Sequence, residues 1–222
     1  MERIKRGLEE LFSIKTSNND VQEIINRGYV CANVEPNEIL FIGINPSYIK
    51  NDKKESFTYD VKQAVNDYPK HYKHFQKLLS NTKYKKKWSY IDLFYFRETD
   101  QKKVDLIIKN EISFIVEQLR LTNKIIKQIN PKIIIVANSK ANNYFGINKL
   151  LKNGEYTNIW YGLEFEFDTN SGLMKVIGID DNSIVDNSNY EFYKDKLFLF
   201  TSTLTYMNKF NKERLSWLIN RI

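Results

Sequence analysis

Apolar positions recur at helical spacing through residues 1–28. Ile4, Leu8, Leu11 and Phe12 fall on one face, and Val21, Ile24 and Ile25 on another. Ser17, Asn18, Asn19 and Asp20 between them predict a break and an N-cap. Residues 39–44 are a continuous apolar run that predicts a buried strand, and the polar residues 48–60 predict a loop. His71, Phe75, Leu78 and Leu79 mark a helix around 70–80, and residues 88–94 read as a second strand. Residues 106–129 form the clearest helix, with Ile108, Ile112, Ile115, Leu119, Ile126 and Ile129 near a helical period. Asn130-Pro131 stops it, and the β-branched run 132–137 follows as a strand suited to burial on both faces. Residues 155–179 alternate (Trp160, Leu163, Phe165, Phe167) and predict a β-hairpin turning near Asn170, Ser171 and Gly172. Residues 180–190 read as a loop, 196–200 as a short strand and 209–222 as an amphipathic helix.

This order predicts one α/β domain over residues 1–222, with N-terminal helices in 1–36 and the hairpin as an insertion. The expected architecture is a three-layer sandwich, a mainly parallel central sheet with helices on both faces. With 42% hydrophobic residues the chain can bury a sizeable core. No apolar run approaches a membrane span, and the first residues lack a signal-peptide core. The single cysteine, Cys31, excludes an intramolecular disulfide and a Cys-rich metal site. A soluble, cytoplasmic protein is expected, as a monomer. The formal charge of +7 favours a polyanionic partner, although a lysine-, asparagine- and isoleucine-rich composition also follows from AT-rich coding.

The candidate chemistry gathers where the first strand ends. Residues 39–47 read Ile-Leu-Phe-Ile-Gly-Ile-Asn-Pro-Ser, which puts Asn45 at a strand's C-terminal edge, where open α/β sheets hold their ligands. Gly43, Ile44, Asn45, Pro46 and Ser47 resemble the first active-site motif of the uracil-DNA glycosylase superfamily, in the form carried by its mismatch-specific uracil/thymine branch. The similarity extends in order and spacing over about residues 37–210. It takes in the strand ending near Asp92, the helix–Pro–strand unit leading to Asn138 and Ala141, and the late strand before residues 201–206. The second motif departs from the family. Thr201, Ser202 and Thr203 stand where His-Pro-Ser or Asn-Pro-Ser is usual.

The resemblance implies a uracil-DNA glycosylase-like fold and a DNA glycosylase that flips a pyrimidine out of the stack and hydrolyses its N-glycosidic bond. Asn45 would orient the water. Ile44, Ser47 and Tyr48 would form the pocket wall, and Phe57 or Tyr59 an aromatic floor. Asn138 would read the base edge. Ser202, Thr203 and Thr205 would hold flanking phosphates, with Leu204 or Tyr206 as a wedge. No lysine stands in the motif for a Schiff base, so a monofunctional enzyme leaving an abasic site is expected, in DNA repair or in defence against modified foreign DNA. Lys85, Lys86 and Lys87, inside a basic run with Tyr84 and Trp88, are candidates for tracking the DNA backbone. Each residue also has a plainer reading. Asn45 can close a turn before Pro46, Asn138 can cap the next helix, and the lysines can be a solvated loop. His71 and His74 share a helix face without a third ligand, so no metal site is expected. No Gly-rich phosphate loop or other cofactor motif is present, and no cofactor is expected. The alternative function is a nucleic-acid-binding protein that keeps the fold without the chemistry.

Overall fold

The computed structural model describes residues 1–49, 51–147, 151–152, 155–156, 160–183 and 189–222. Lys50 in the predicted loop, residues 157–159 of the predicted hairpin and residues 184–188 of the second predicted loop lie outside them.

Helices α1 (Glu2–Leu11) and α2 (Asn19–Asn26) open the chain, and the Asn18 side chain caps α2 by accepting from Val21 N. Strand β1 (Val30–Asn33) follows, then β2 (Ile39–Gly43), β3 (Phe57–Asp60), α3 (Val61–Asp67), α4 (Pro69–Leu79) and β4 (Trp88–Asp92). Helices α5 (Gln101–Asn110) and α6 (Ile112–Ile129) lead to β5 (Ile133–Val136) and α7 (Ser139–Phe145). Short strands β6 (Leu151–Lys152) and β7 (Glu155–Tyr156) pair with each other. The hairpin β8 (Leu163–Asp168) and β9 (Leu173–Ile179) follows, and α8 (Tyr190–Tyr193), β10 (Leu197–Phe200) and α9 (Lys209–Arg221) close the chain.

Among the described residues the main sheet has the order β4-β2-β5-β10-β9-β8. The pairs β2–β4, β2–β5 and β10–β5 are parallel, and the β8–β9 hairpin adds antiparallel to β10. Every residue of β2 and β5 is buried, as their uninterrupted apolar runs require of strands covered on both faces. Alternation sorts the side chains. Phe41 packs against Phe75 of α4 with ring centroids 4.8 Å apart, and α9 packs on α4. On the other face Phe198 meets Phe145 of α7, Tyr161 stacks on Phe145, and the Tyr161 hydroxyl donates to the Leu119 carbonyl of α6. A mostly parallel sheet therefore lies between helices. No helix of the described residues is long and apolar enough to cross a membrane.

Three sequence-based boundaries move. Residues 57–60 are a strand, paired parallel with β1 in a separate two-stranded sheet, so the predicted loop 48–60 is shorter than expected and residues 30–33 add a strand to the N-terminal region. The helix read over 106–129 is two helices, broken at Glu111 (φ −133°, ψ 57°), where the Thr16 hydroxyl donates to the Glu111 carboxylate. The apolar period runs through that break because Ile112 keeps the spacing while standing 55% exposed. Asn130 ends α6 in the left-handed region (φ 51°), which asparagine tolerates and Pro131 then seals.

Candidate active site

From β2 the chain crosses to β4 on one side, and it returns over β2 to β5 on the other. The strand order reverses between β2 and β5, and the crevice at the C-terminal ends of such strands is where open α/β sheets take ligands. Asn45 follows β2 there, and Asn138 follows β5.

Asn45 leaves the sheet by degrees. Leu93 N donates to the Gly43 carbonyl at 3.1 Å and Phe94 N to the Ile44 carbonyl at 2.8 Å, so pairing with the β4 segment runs past the strand end. Pro46 offers no N–H to continue it. The Asn45 Nδ2 donates to the Glu98 carbonyl at 2.6 Å and to the Pro46 carbonyl at 3.0 Å. Both partners are acceptors, so the nitrogen must face them and the amide has one orientation. Its Oδ1 is buried and has no hydrogen-bond partner among the described residues. Asn45 is thus a fixed amide whose buried acceptor is unpaired among the described residues.

That loop is braced from beneath. Arg27 and Glu98 form a buried ion pair at 2.7 Å, and Glu98 Oε1 accepts from Thr99 N and Asp100 N. Arg97 pairs with Asp52 at 2.9 Å and donates to the Lys53 carbonyl. The guanidinium carbons of Arg27 and Arg97 stand over the Tyr48 ring at 4.4 and 5.1 Å. Tyr48 therefore ties the loop down, and its ring, which the resemblance makes part of the pocket wall, is engaged by the two cations.

Asp92 enters the sequence reading only as the residue near which a strand ends. It ends β4 in register with Gly43, half-buried, and the Tyr90 hydroxyl donates to its Oδ1 at 2.8 Å. Tyr72, Tyr90 and His71 pack edge to face around it, and the Tyr72 hydroxyl donates to that of Tyr59 at 2.9 Å. Burial among these uncharged groups pushes the Asp92 carboxyl from 3.8 up to about 7, against the partial offset of the Tyr90 hydrogen bond. Burial likewise lowers His71, which keeps that ring neutral near pH 7. A carboxyl so shifted at a strand end is a candidate for a working group.

The sign of the pH effect follows. Between 3.8 and about 7 the folded chain keeps a proton on Asp92 that the unfolded chain has lost. Stability must fall as pH rises through that window and level off above it. Asp92→Asn is expected to remove this contribution, so that urea midpoints at about pH 5 and about pH 7.5 differ less than in wild type. An unchanged difference between the two midpoints would show that Asp92 titrates normally.

The other sequence-based candidates divide. Ser47 is exposed in the Asn45 loop. Ile44 is buried and, one residue out of phase with Gly43, lines a separate cleft of about 260 Å³ with Tyr144, Trp160 and the Asp105–Lys140 pair. Phe57 is 39% exposed on β3, with the Arg97 guanidinium 5.5 Å from its ring centroid. Asn138 caps α7, its Oδ1 accepting from Lys140 N and Ala141 N, so its acceptor is already taken. The ladder reaches Thr201, whose N–H donates to the Val136 carbonyl, and leaves Ser202 and Thr205 exposed and Thr203 half-buried on the same edge as Asn45. Leu204 is 1% exposed and belongs to the core, so it is no wedge, whereas Tyr206 beside it is 90% exposed.

Lys85, Lys86 and Lys87 stand apart from this edge. They precede β4 while Asp92 ends it, and Lys87 pairs with Glu38 just before β2. Five residues of strand separate Lys87 from Asp92 by about 16 Å. The lysines lie at the opposite edge of the sheet and share no site with Asn45. Among the described residues no group of His, Cys, Asp and Glu side chains is placed to hold a metal. No protein-family model matches this chain, and no curated protein matches it either.

Proposed function

We propose that this chain is a monofunctional DNA glycosylase of the uracil-DNA glycosylase type, acting on a flipped-out pyrimidine. The observation that carries the reading is the Asn45 amide. Two carbonyls fix its nitrogen, and its oxygen is left as an unpaired acceptor at the switch point of the sheet. A buried acceptor without a partner costs about 1–3 kcal/mol, and a water donating to it removes that cost. Held there, the water is aligned for attack on the sugar C1′. A carboxamide is a very poor base, so Asn45 positions the water and the leaving base supplies the drive. The resemblance of residues 43–47 to the superfamily's first motif supports the same assignment, as does the formal charge of +7 for a DNA partner. The protein acts as a cytoplasmic monomer in repair or against modified foreign DNA.

Single-turnover excision from labelled oligonucleotides, with abasic sites revealed by alkali, tests this. Asn45→Ala is expected to lower the rate about 100-fold or more, the cost of losing the water's alignment. Excision untouched by Asn45→Ala removes the role given to Asn45. Salt-sensitive DNA binding without excision of any base moves the protein to the binding-module reading.

A further inference from the structure

Helix α9 carries a face that the fold does not use. At 3.6 residues per turn, Phe210, Arg214, Trp217 and Arg221 follow one another at intervals of four, three and four and stand in one stripe. Leu215 and Ile219 fall on the opposite side and are buried, so the stripe faces solvent. An amphipathic helix normally puts polar residues there. Here Phe210 is 71% exposed and Trp217 59%.

The free charge along the stripe is positive. Glu213 is the only acid of α9, and Lys209 pairs with it at 3.7 Å. Arg214 makes no ion pair or hydrogen bond among the described residues. Arg221 donates to the Asn170 carbonyl and holds its guanidinium carbon 4.7 Å from the Trp217 ring centroid. Arg214 and Trp217 also line a cleft of about 500 Å³, together with Phe167, Met174, Phe200 and Leu218. Among the described residues no carboxylate lines it.

We infer that this stripe is a track for an unpaired strand of DNA, whose bases stack on Phe210 and Trp217 and whose phosphates meet Arg214 and Arg221. The inference takes DNA as the partner from the glycosylase reading and adds a surface that the excised nucleotide does not touch. Every base has a π-face, so stacking on an exposed ring makes no demand on sequence. Phe210 and Trp217 are about 10.5 Å apart along the helix axis, which is about three nucleotides at the ~3.4 Å per-strand rise of DNA. Arg214 stands between them, and a guanidinium fork pairs with phosphate oxygens bidentately. The stripe also follows directly on the exposed Tyr206, at the edge that carries Asn45. A duplex hides its base faces in its own stack and leaves the rings unused. A second copy of the chain would bring another +7 against a basic stripe.

The test is binding of a dye-labelled oligo-dT of about 15 nucleotides to the full chain, read by anisotropy, with sedimentation velocity for the oligomeric state. Trp217 supplies a second signal. Of the three tryptophans Trp88 is half-buried and Trp160 is buried, so a strand stacked on α9 quenches Trp217 first. Oligo-dT is expected to quench wild-type tryptophan fluorescence. Trp217→Phe should lose the quench and keep most of the affinity, because a ring remains. Phe210→Ala and Trp217→Ala should each weaken binding about 10-fold. Arg214→Ala combined with Arg221→Ala should lower the salt slope by about 1.4, two phosphate contacts at ~0.7 each. The matched duplex should bind Phe210→Ala and wild type alike. The replaced side chains lie outside the core, and circular dichroism checks that each variant folds.

Aromatic variants that bind oligo-dT as wild type does overturn the track, and so does a quench that persists in Trp217→Phe. Poly-glutamate that displaces the strand as well as unlabelled oligo-dT does would show charge alone at work and overturns it too. A wild-type dimer that Trp217→Ala dissolves makes the face an interface between copies and overturns it as well. Excision is scored separately. Ring-dependent binding with no base excised leaves the track standing and removes the glycosylase. Excision by a chain whose α9 variants bind normally does the reverse.

Discussion

Glu98→Ala is expected to destabilise the protein by about 3–5 kcal/mol, measured as a shift of the urea midpoint at neutral pH. The side chains of Arg27 and Glu98 are 5% and 7% exposed, so the pair is out of solvent. Burial works against the Arg27 charge, and hydrogen bonds and charge from Glu98 and Glu23 outweigh it, holding the guanidinium firmly protonated. With Glu98 gone the cation stays buried, left with a backbone carbonyl, the half-exposed Glu23 and the Tyr48 ring. Thr99 N and Asp100 N lose their acceptor at the same time. The cost is that of an uncompensated buried charge, not the net worth of the pair. The double change Arg27→Met with Glu98→Leu is therefore expected to cost less than Glu98→Ala alone. A loss below about 1 kcal/mol would mean the pair behaves as a solvent-exposed one. The functional consequence runs through the backbone. The Glu98 carbonyl takes the Asn45 amide and Glu98 N donates to the Pro46 carbonyl, so a loosened Glu98 frees the amide to turn.

What the sequence disclosed was whatever local pattern determines. The runs at 39–43 and 133–136 are apolar without interruption because both faces of those strands are covered. Asn45 was visible because a strand followed by Asn-Pro has one sensible geometry. The strand at 57–60 was not visible. Phe-Thr-Tyr-Asp is short, faces solvent over most of its length and becomes a strand only by pairing with residues 30–33, far away in sequence. Asp92 was hidden for a related reason. Its environment is made by Gly43, Tyr72 and Tyr59, which parallel register and helix packing bring in from elsewhere. The separation of Lys85, Lys86 and Lys87 from Asn45 is legible in the same way. Parallel strands begin at one edge, so residues before one strand cannot share a site with residues after its neighbour.

Gly43→Ala is expected to cost about 3 kcal/mol and to abolish the ordered Asp92 carboxyl, although the backbone at Gly43 accepts any residue. The conflict is purely one of space. A methyl there would overlap the Tyr90 hydroxyl and Asp92 Oδ1 and stand 3.0 Å from Tyr90 Cζ. Neither side can yield cheaply. The β2 backbone is laddered to β4 and β5, and the Tyr90 ring is wedged between Phe75 at 5.1 Å and Tyr72 at 5.2 Å. Something must shift, and the Tyr90–Asp92 hydrogen bond is the first to go. Tyr90→Phe alone removes that bond without the clash and should cost about 1 kcal/mol. In the double variant the hydroxyl overlap is gone while the Asp92 overlap remains. Its cost should therefore fall short of the sum of the two single costs, and urea midpoints of the four proteins in a cycle read the difference. Strict additivity would mean that the methyl is accommodated by movement of β2, with Tyr90 and Asp92 undisturbed. Coupling would mean that Gly43 is bare so that a tyrosine and a carboxyl can lie against the strand that carries Asn45. The glycine of the Gly-Ile-Asn-Pro-Ser motif then makes room for the Tyr90–Asp92 pair beside that strand.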